Sequence, residues 1–313
     1  MRWWTRLGTG LALCSMAIAG PVELGMAELN AAIDARNFKY RPKIMAELNL
    51  EAPETFRIDP YAAGGGHITG GDLRGLMYGL LEAADQMRAT GRLKLTHAAP
   101  ALALRGVRLA ANPGAAWFSS AEFWQQYLIG MARDRFNRLE ISFEPAAGPG
   151  VLPMLRYIAQ LAQQYGVDVA VGLSAPAPQE IEQLLQDCPA VRSVVLHVES
   201  VPNAGEILET LHDSGRRVVL ELPDTGRMAE VIETAGASGA PLRLFSDYTG
   251  TAANPRPRDA YWDMDAALGA DAVNSISGAG FEVNGNDPTD SGATPSLDSI
   301  AAWGRLGYTR AAP

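Results

Sequence analysis

Cysteine is nearly absent. The 313 residues hold two, Cys14 and Cys188. Cys14 sits inside an apolar leader-like run, so Cys188 is the one cysteine expected in the mature chain. That excludes an intramolecular disulfide and a thiolate metal site. Histidine is scarce too, and His67, His97, His197 and His212 show no metal-ligand spacing. No metal and no cofactor is expected. Positive charge is in deficit: 26 Lys and Arg against 35 Asp and Glu give a net charge of -9. Such a chain gains nothing from a nucleic-acid backbone or an anionic membrane, so neither is an expected partner. The apolar run over 7–19 is short of the roughly 20 residues of a comfortable membrane span. The glycines at 64–66 and 70–71 are followed by no suitably placed basic residue, and no Walker or dinucleotide fingerprint occurs, which excludes a phosphate cradle there.

Hydrophobic residues make up 47% of the chain and charged residues 19%, enough for a sizeable core in one large domain or two ordinary ones. Arg2 and Arg6, the apolar run and Ala17-Ile18-Ala19 ahead of Gly20 have the layout of a secretory signal over 1–19. A secreted or periplasmic protein is expected. Leu11-Ala12-Leu13-Cys14 loosely matches a lipoprotein cleavage box, but Leu13 is bulkier than the small residue such a box needs. Lipid anchoring is the lesser alternative.

Apolar residues at Leu73, Leu76, Met77, Leu80, Leu81, Ala84 and Met87 repeat at helical spacing behind Asp72, with Gly91 as a stop. This predicts an N-capped amphipathic helix. Short strands are predicted at 56–58 and 67–69, a helix opening within 27–33, and a helix or strand from 43 to 50. From 104 a second rhythm begins. Strands at 104–109, 138–143, 167–173, 191–198, 217–222 and 242–245 alternate with helices behind Ser119-Ser120 and over 151–165, 178–186, 204–213 and 227–235. Further on, 261–268 reads as helix, 272–276 and 281–283 as two last strands, 284–295 as a polar loop and 300–306 as a last helix. Alternation of this kind is that of βα units, whose right-handed crossovers lay the strands parallel. The expected fold class is α/β: a (β/α)8 TIM-type barrel over 101–313, preceded by a small α/β domain over 20–100. A full barrel typically takes ~250 residues and about 210 are present, so an incomplete barrel is an open alternative.

The run Val191 to Ser200 organises this reading. It is apolar and β-branched until it meets Glu199, as a strand buried on both faces is. A buried charge is expensive, so Glu199 is expected at or past the strand's C-terminal end. Barrel active sites lie at those ends. Glu144, Asp224, Asp247 and Glu282 are also expected at strand ends, while Glu140 and Glu221 fall within strands and face either way. Two carboxylates flanking a glycosidic bond are what its hydrolysis needs, and Tyr248 offers a flat face to a sugar ring. Glu199 as a simple cap or arginine partner is the other reading.

The segments GGDLRGLMYGLLEAADQM, LRGVRLAAN and FWQQYLIGMARDRFNRLEISFE, followed by MLRYIAQLAQQYGVDVAVGL, HVES, GAGFEVNG and AAWGRLGY, resemble bacterial glycoside hydrolases of the α-glucuronidase and β-N-acetylhexosaminidase type. The resemblance runs from about 56 to 308. It implies a small α/β domain and a barrel whose first strand opens with an Arg-Gly pair, here Arg105-Gly106. The hexosaminidase branch carries adjacent Asp and Glu after its fourth strand. This chain has Glu199-Ser200, which disfavours that branch. By resemblance Glu199 is the acid, with Glu282 or Asp247 as its partner. Arg108 and Arg243 are the candidate cations for a uronic acid, and Glu144, Asp224 and Tyr248 line the site. The implied partner is a carbohydrate. A shortened barrel that kept sugar binding and lost its chemistry is the alternative.

Overall fold

The structure, a computed structural model, describes residues 20–49, 51–62, 64–143, 151–174, 178–197, 217–221, 242–245, 261–264, 280–286, 292–298 and 300–308. The first part is a four-stranded sheet under two helices. Helix α1 (Pro21–Asp34) opens on Pro21, where a missing N–H costs nothing. Strands β1 (Ile44–Leu48), β2 (Phe56–Pro60), β3 (Gly66–Gly70) and β4 (Thr96–Ala98) lie in the order β1-β3-β2-β4. Only β1 and β3 are parallel. Helix α2 (Leu73–Thr90) is capped as its sequence predicts. The Asp72 carboxylate accepts from the Gly75 N–H at 2.6 Å, and Gly91 ends the helix in the left-handed region at φ 70°. The apolar stripe of α2 is buried against the sheet and α1.

The second part is an eight-stranded sheet built from β5 (Leu104–Ala111), β6 (Arg138–Phe143), β7 (Asp168–Ser174), β8 (Val191–His197), β9 (Arg217–Glu221), β10 (Leu242–Phe245), β11 (Tyr261–Met264) and β12 (Gly280–Asn284). Helices α3 (Ala121–Arg133), α4 (Val151–Gln164) and α5 (Pro178–Asp187) connect its early strands, and α6 (Ala301–Tyr308) ends the described chain. The order is β11-β10-β9-β8-β7-β6-β5-β12. Neighbours are parallel except β10 and β11. The last strand thus returns to pair with the first. Among the described residues no pairing joins β11 to β12. Seven parallel strands and one reversed strand make a mixed α/β sheet.

Three expectations need correction. The stretch expected as helix over 261–268 holds β11 at Tyr261–Met264, antiparallel to β10. A run with aromatics at two successive positions satisfies a short strand as readily as a helical turn. The segment from 43 resolves as strand β1, and the small-residue linker from 98 is preceded by a short strand, β4, that the pattern does not announce. The expected strand at 272–276, the helices at 204–213 and 227–235, and the leader at 1–19 lie outside the described residues.

A buried polar hub joins the two sheets. Glu54, at φ 60°, is 6% exposed in the loop before β2. Its carboxylate accepts from Arg74 at 2.7 Å, from Asn137 at 2.9 Å and from Arg105. Its carbonyl accepts from the Tyr308 hydroxyl, and its N–H donates to Asp72 at 3.0 Å. Arg105 is fully buried, donating also to the Arg135 carbonyl at 2.7 Å and stacking on the Tyr308 ring at 5.2 Å. Burial alone would raise the Glu54 carboxyl, but the Arg105 and Arg74 guanidiniums outweigh it and hold the group below its ordinary value. One loop residue therefore ties the small sheet, the opening of β5 and the last helix together.

Candidate functional site

Strand β6 reads Arg-Leu-Glu-Ile-Ser-Phe, strictly polar then apolar. Successive side chains on a strand point to opposite faces, and the helices cover one face of this sheet. Val107 and Leu109 of β5 and Leu139 and Ile141 of β6 are buried in the core cluster with α3 and α4. Residues of the other parity must face inward, away from the helices. On that face stand Gly106 and Arg108 of β5, Arg138, Glu140 and Ser142 of β6, and Glu282 and Asn284 of β12. The register aligns Glu282, Gly106 and Arg138 in one row and Asn284, Arg108 and Glu140 in the next.

Two ion pairs follow. In the lower row Arg138 Nε lies 2.8 Å from Glu282 Oε1, with the side chains 4% and 0% exposed. Gly106 separates their strands, and a Cβ on it would stand 2.3 Å from the Glu282 Cγ. The glycine of the Arg-Gly pair is therefore the gap through which Glu282 reaches Arg138. The arginine of that pair points the other way, to Glu54. In the upper row Arg108 Nε lies 3.3 Å from Glu140 Oε1, with side chains 16% and 0% exposed. Arg108 Nε is also 3.5 Å from the Ser142 hydroxyl, which itself donates to the Leu109 carbonyl at 3.2 Å. Toward the β12 side, the Asn286 amide closes the row above, accepting from the Ala110 N–H at 3.0 Å and donating to the Ala110 carbonyl at 2.8 Å.

The sequence-selected residues fall into three groups. Arg108 and Glu282 are brought onto this one face, one row apart. Glu282 is not at a strand end: it is the third of five residues in β12, and it is buried against Arg138. Its strand starts one residue before the apolar pattern does and ends one residue after it, which leaves Glu282 in the middle of the sheet. Arg243 lies on β10, in register with Val219 and Asp263. Glu144, Glu199, Asp224, Asp247 and Tyr248 lie outside the described residues. Each follows one of the strands β6, β8, β9 or β10 in the sequence, and these parallel strands end along a common edge. Glu140 and Arg138 were legible: in a sheet whose outer face must be apolar, the polar parity of RLEISF has to face in.

Among the described residues no group of three or more His, Cys, Asp or Glu is placed to hold a metal. No helix among them is long and apolar enough to cross a membrane.

No family model matches the sequence, and no curated protein does. Solved structures do match. An enzyme of glycoside hydrolase family 138 that targets pectin rhamnogalacturonan II superposes with a TM-score of 0.64 at 15% identity, over 92% of this chain and 50% of its own. A family 20 β-N-acetylglucosaminidase gives 0.59 at 14% identity, over 91% of this chain and 86% of its own. The family 20 exo-β-N-acetylglucosaminidase from Vibrio harveyi gives 0.53 at 12%, over 74% and 53%. The chain thus spans half the length of the first of these. At such identities the likeness establishes a shared glycoside hydrolase fold.

Proposed function

We propose that this chain is an exported glycoside hydrolase-type protein that cleaves O-glycosyl bonds in oligosaccharide or polysaccharide fragments bearing uronic acids. The observation that carries the reading is the charged inner face. Parallel α/β sheets of this kind ordinarily fill their inner side with Val, Ile and Leu. Here Arg108, Glu140, Arg138 and Glu282 occupy it, below the edge that barrel enzymes use for chemistry. We take the sheet as the wall of a barrel whose closing seam falls between β11 and β12, with 20–100 as an accessory domain and 1–19 as its leader.

In this mechanism Glu199, two residues past the end of β8, protonates the leaving oxygen. Asp247, just past β10, is the second carboxylate, attacking the sugar or activating water. Glu282 is a poorer partner because Arg138 holds it inside the sheet. Arg108 receives the sugar carboxylate, for which its planar fork is suited. Glu144, Asp224, Arg243 and Tyr248 line the remainder of the cleft. No cofactor takes part.

A non-catalytic carbohydrate-binding protein on the same fold is the second reading. It is favoured by one observation: both carboxylates described on the inner face are engaged by arginines. The experiment that separates them is hydrolysis of aryl glycosides, glucuronoxylan fragments and acidic pectin fragments by the chain from Gly20 onward. Turnover should fall by about 10²–10⁴-fold in Glu199→Gln, the usual contribution of a positioned acid. Binding of an oligosaccharide without turnover by the native chain would establish the second reading instead.

A further inference from the structure

We infer that Glu140 is the positioning residue for Arg108, holding its guanidinium in the orientation in which it reads a sugar carboxylate. The inference rests on the function proposed above and adds to it the residue that makes Arg108 selective.

Of the four charged side chains on the inner face, Arg108 keeps the most exposure, 16% against 4% for Arg138 and none for Glu140 and Glu282. It is the cation that reaches toward the ligand side. Glu140 is the group beneath it, and its carboxylate is placed by a third residue. A Cβ on Gly172 of β7 would stand 3.1 Å from Glu140 Oε1 and 2.9 Å from the Ser142 Cβ. Strand β7 therefore leaves a notch in which the carboxylate lies. Both contacts described for Arg108 engage Nε: Glu140 at 3.3 Å and the Ser142 oxygen at 3.5 Å. Because the Ser142 hydroxyl gives its proton to the Leu109 carbonyl, it faces Arg108 as an acceptor. A guanidinium gripped along its Nε edge by two acceptors is fixed in its plane, and its terminal fork acquires a direction. A bidentate clamp on a planar carboxylate depends on that direction. A buried carboxylate is also the counter-charge that keeps a largely buried guanidinium in place.

The test compares native chain, Glu140→Gln, Gly172→Ala and Arg108→Lys on paired uronate-bearing and neutral oligosaccharides. Selectivity is read as the ratio of KM values, or of Kd values with glucuronate and glucose oligomers. In Glu140→Gln the preference for the acidic ligand should fall about tenfold, the equivalent of ~1.4 kcal/mol, mainly through KM. Gly172→Ala should shift it in the same direction by less, since it displaces the carboxylate without removing its charge. Arg108→Lys should not rescue, because charge without the fork is insufficient. A second readout needs no turnover: hydrogen exchange of the Arg108 Nε–H in ¹⁵N-arginine-labelled protein, slow in the native chain and faster in Glu140→Gln. A folded Glu140→Gln with unchanged selectivity and unchanged Nε–H exchange overturns the inference. If Glu140→Gln does not fold, Gly172→Ala carries the same two readouts. A native chain that does not distinguish acidic from neutral sugars would defeat the uronate reading, and the Nε–H exchange would still decide whether Glu140 holds Arg108.

Discussion

At the seam between the two sheets, buried charge is threaded through hydrogen bonds; on the inner face of the large sheet it stands in close ion pairs. Glu54 takes donors from Arg74, Arg105 and Asn137, and Arg105 sends its remaining N–H groups to backbone carbonyls. Glu282 has Arg138 beside it at 2.8 Å, yet among the described residues neither of its oxygens accepts a well-aligned hydrogen bond. A satisfied buried network fixes structure, whereas a pair short of hydrogen bonds is expensive to keep. The seam is thus built to hold two units in one arrangement. The inner face keeps charge where apolar residues would pack more cheaply, which is the pattern expected where the ligand is handled.

Breaking the seam should have the largest effect. Glu54→Gln leaves Arg105, whose side chain is fully buried, without its counter-charge. The expected loss is roughly 3–5 kcal/mol, the usual result of removing one partner of a buried pair, read as a fall in Tm and in the denaturant midpoint. The pH dependence has a definite sign. The folded-state carboxyl of Glu54 lies below its ordinary 4.5, so its contribution is complete above that value and is lost as the pH falls below it toward the folded value. Stability of the native protein should therefore decline over that acid range, and Glu54→Gln should flatten the slope. Denaturant midpoints measured from pH 6 downward check both.

The inner pair should respond differently to replacement. Glu282→Gln leaves Arg138 buried without the Glu282 charge, with an expected loss of about 3 kcal/mol. The double replacement Glu282→Leu with Arg138→Met should recover most of it, because apolar residues of similar volume often match or exceed a buried ion pair. The matching double at the seam, Glu54→Leu with Arg105→Met, should recover much less, since it strands Asn137, Arg74 and the carbonyls that Arg105 serves. Equal recovery at both places, by chemical denaturation, would erase the distinction.

These two places were unequally legible in the sequence. Strands β5 to β8 lie within two residues of where their apolar runs put them, and α2 is capped at Asp72 and stopped at Gly91 as its pattern indicates. Periodicity and capping are local, so they survive the lack of tertiary information. The polar parity of β6 is local as well, but the direction it faces depends on which side the helices cover, and Glu140 stayed ambiguous until that was known. The hub was not legible at all. Glu54 sits in an unpatterned loop, and its partners Arg105, Asn137 and Tyr308 are 51, 83 and 254 positions away. Glu282 was misplaced for a related reason: a short strand late in the chain is positioned by its pairing with β5 rather than by its own residues. Tyr261–Met264 was misread because so short an apolar run has no period to measure.

The smallest expected effect separates packing from charge inside the lower row. Gly106→Ala places a methyl group 2.3 Å from the Glu282 Cγ. That atom lies close to the backbone of β12 and is not the free end of a flexible chain. Either the side chain leaves Arg138 or the strands part, and overpacking of this kind costs typically 1–3 kcal/mol. If the cost comes from the contact with Glu282, it should largely vanish in a Glu282→Ala background, giving a coupling energy in the double-mutant cycle close to the single-mutant loss. If instead Gly106 is needed for its own backbone, the loss should persist unchanged in that background. Its conformation gives no reason for that second outcome, since Gly106 is not among the glycines with positive φ. The cycle therefore asks whether the Arg-Gly pair is one motif or two neighbouring ones. On the geometry it is two: Arg105 serves the seam from the outer side of β5, and Gly106 serves the inner face by occupying almost no space.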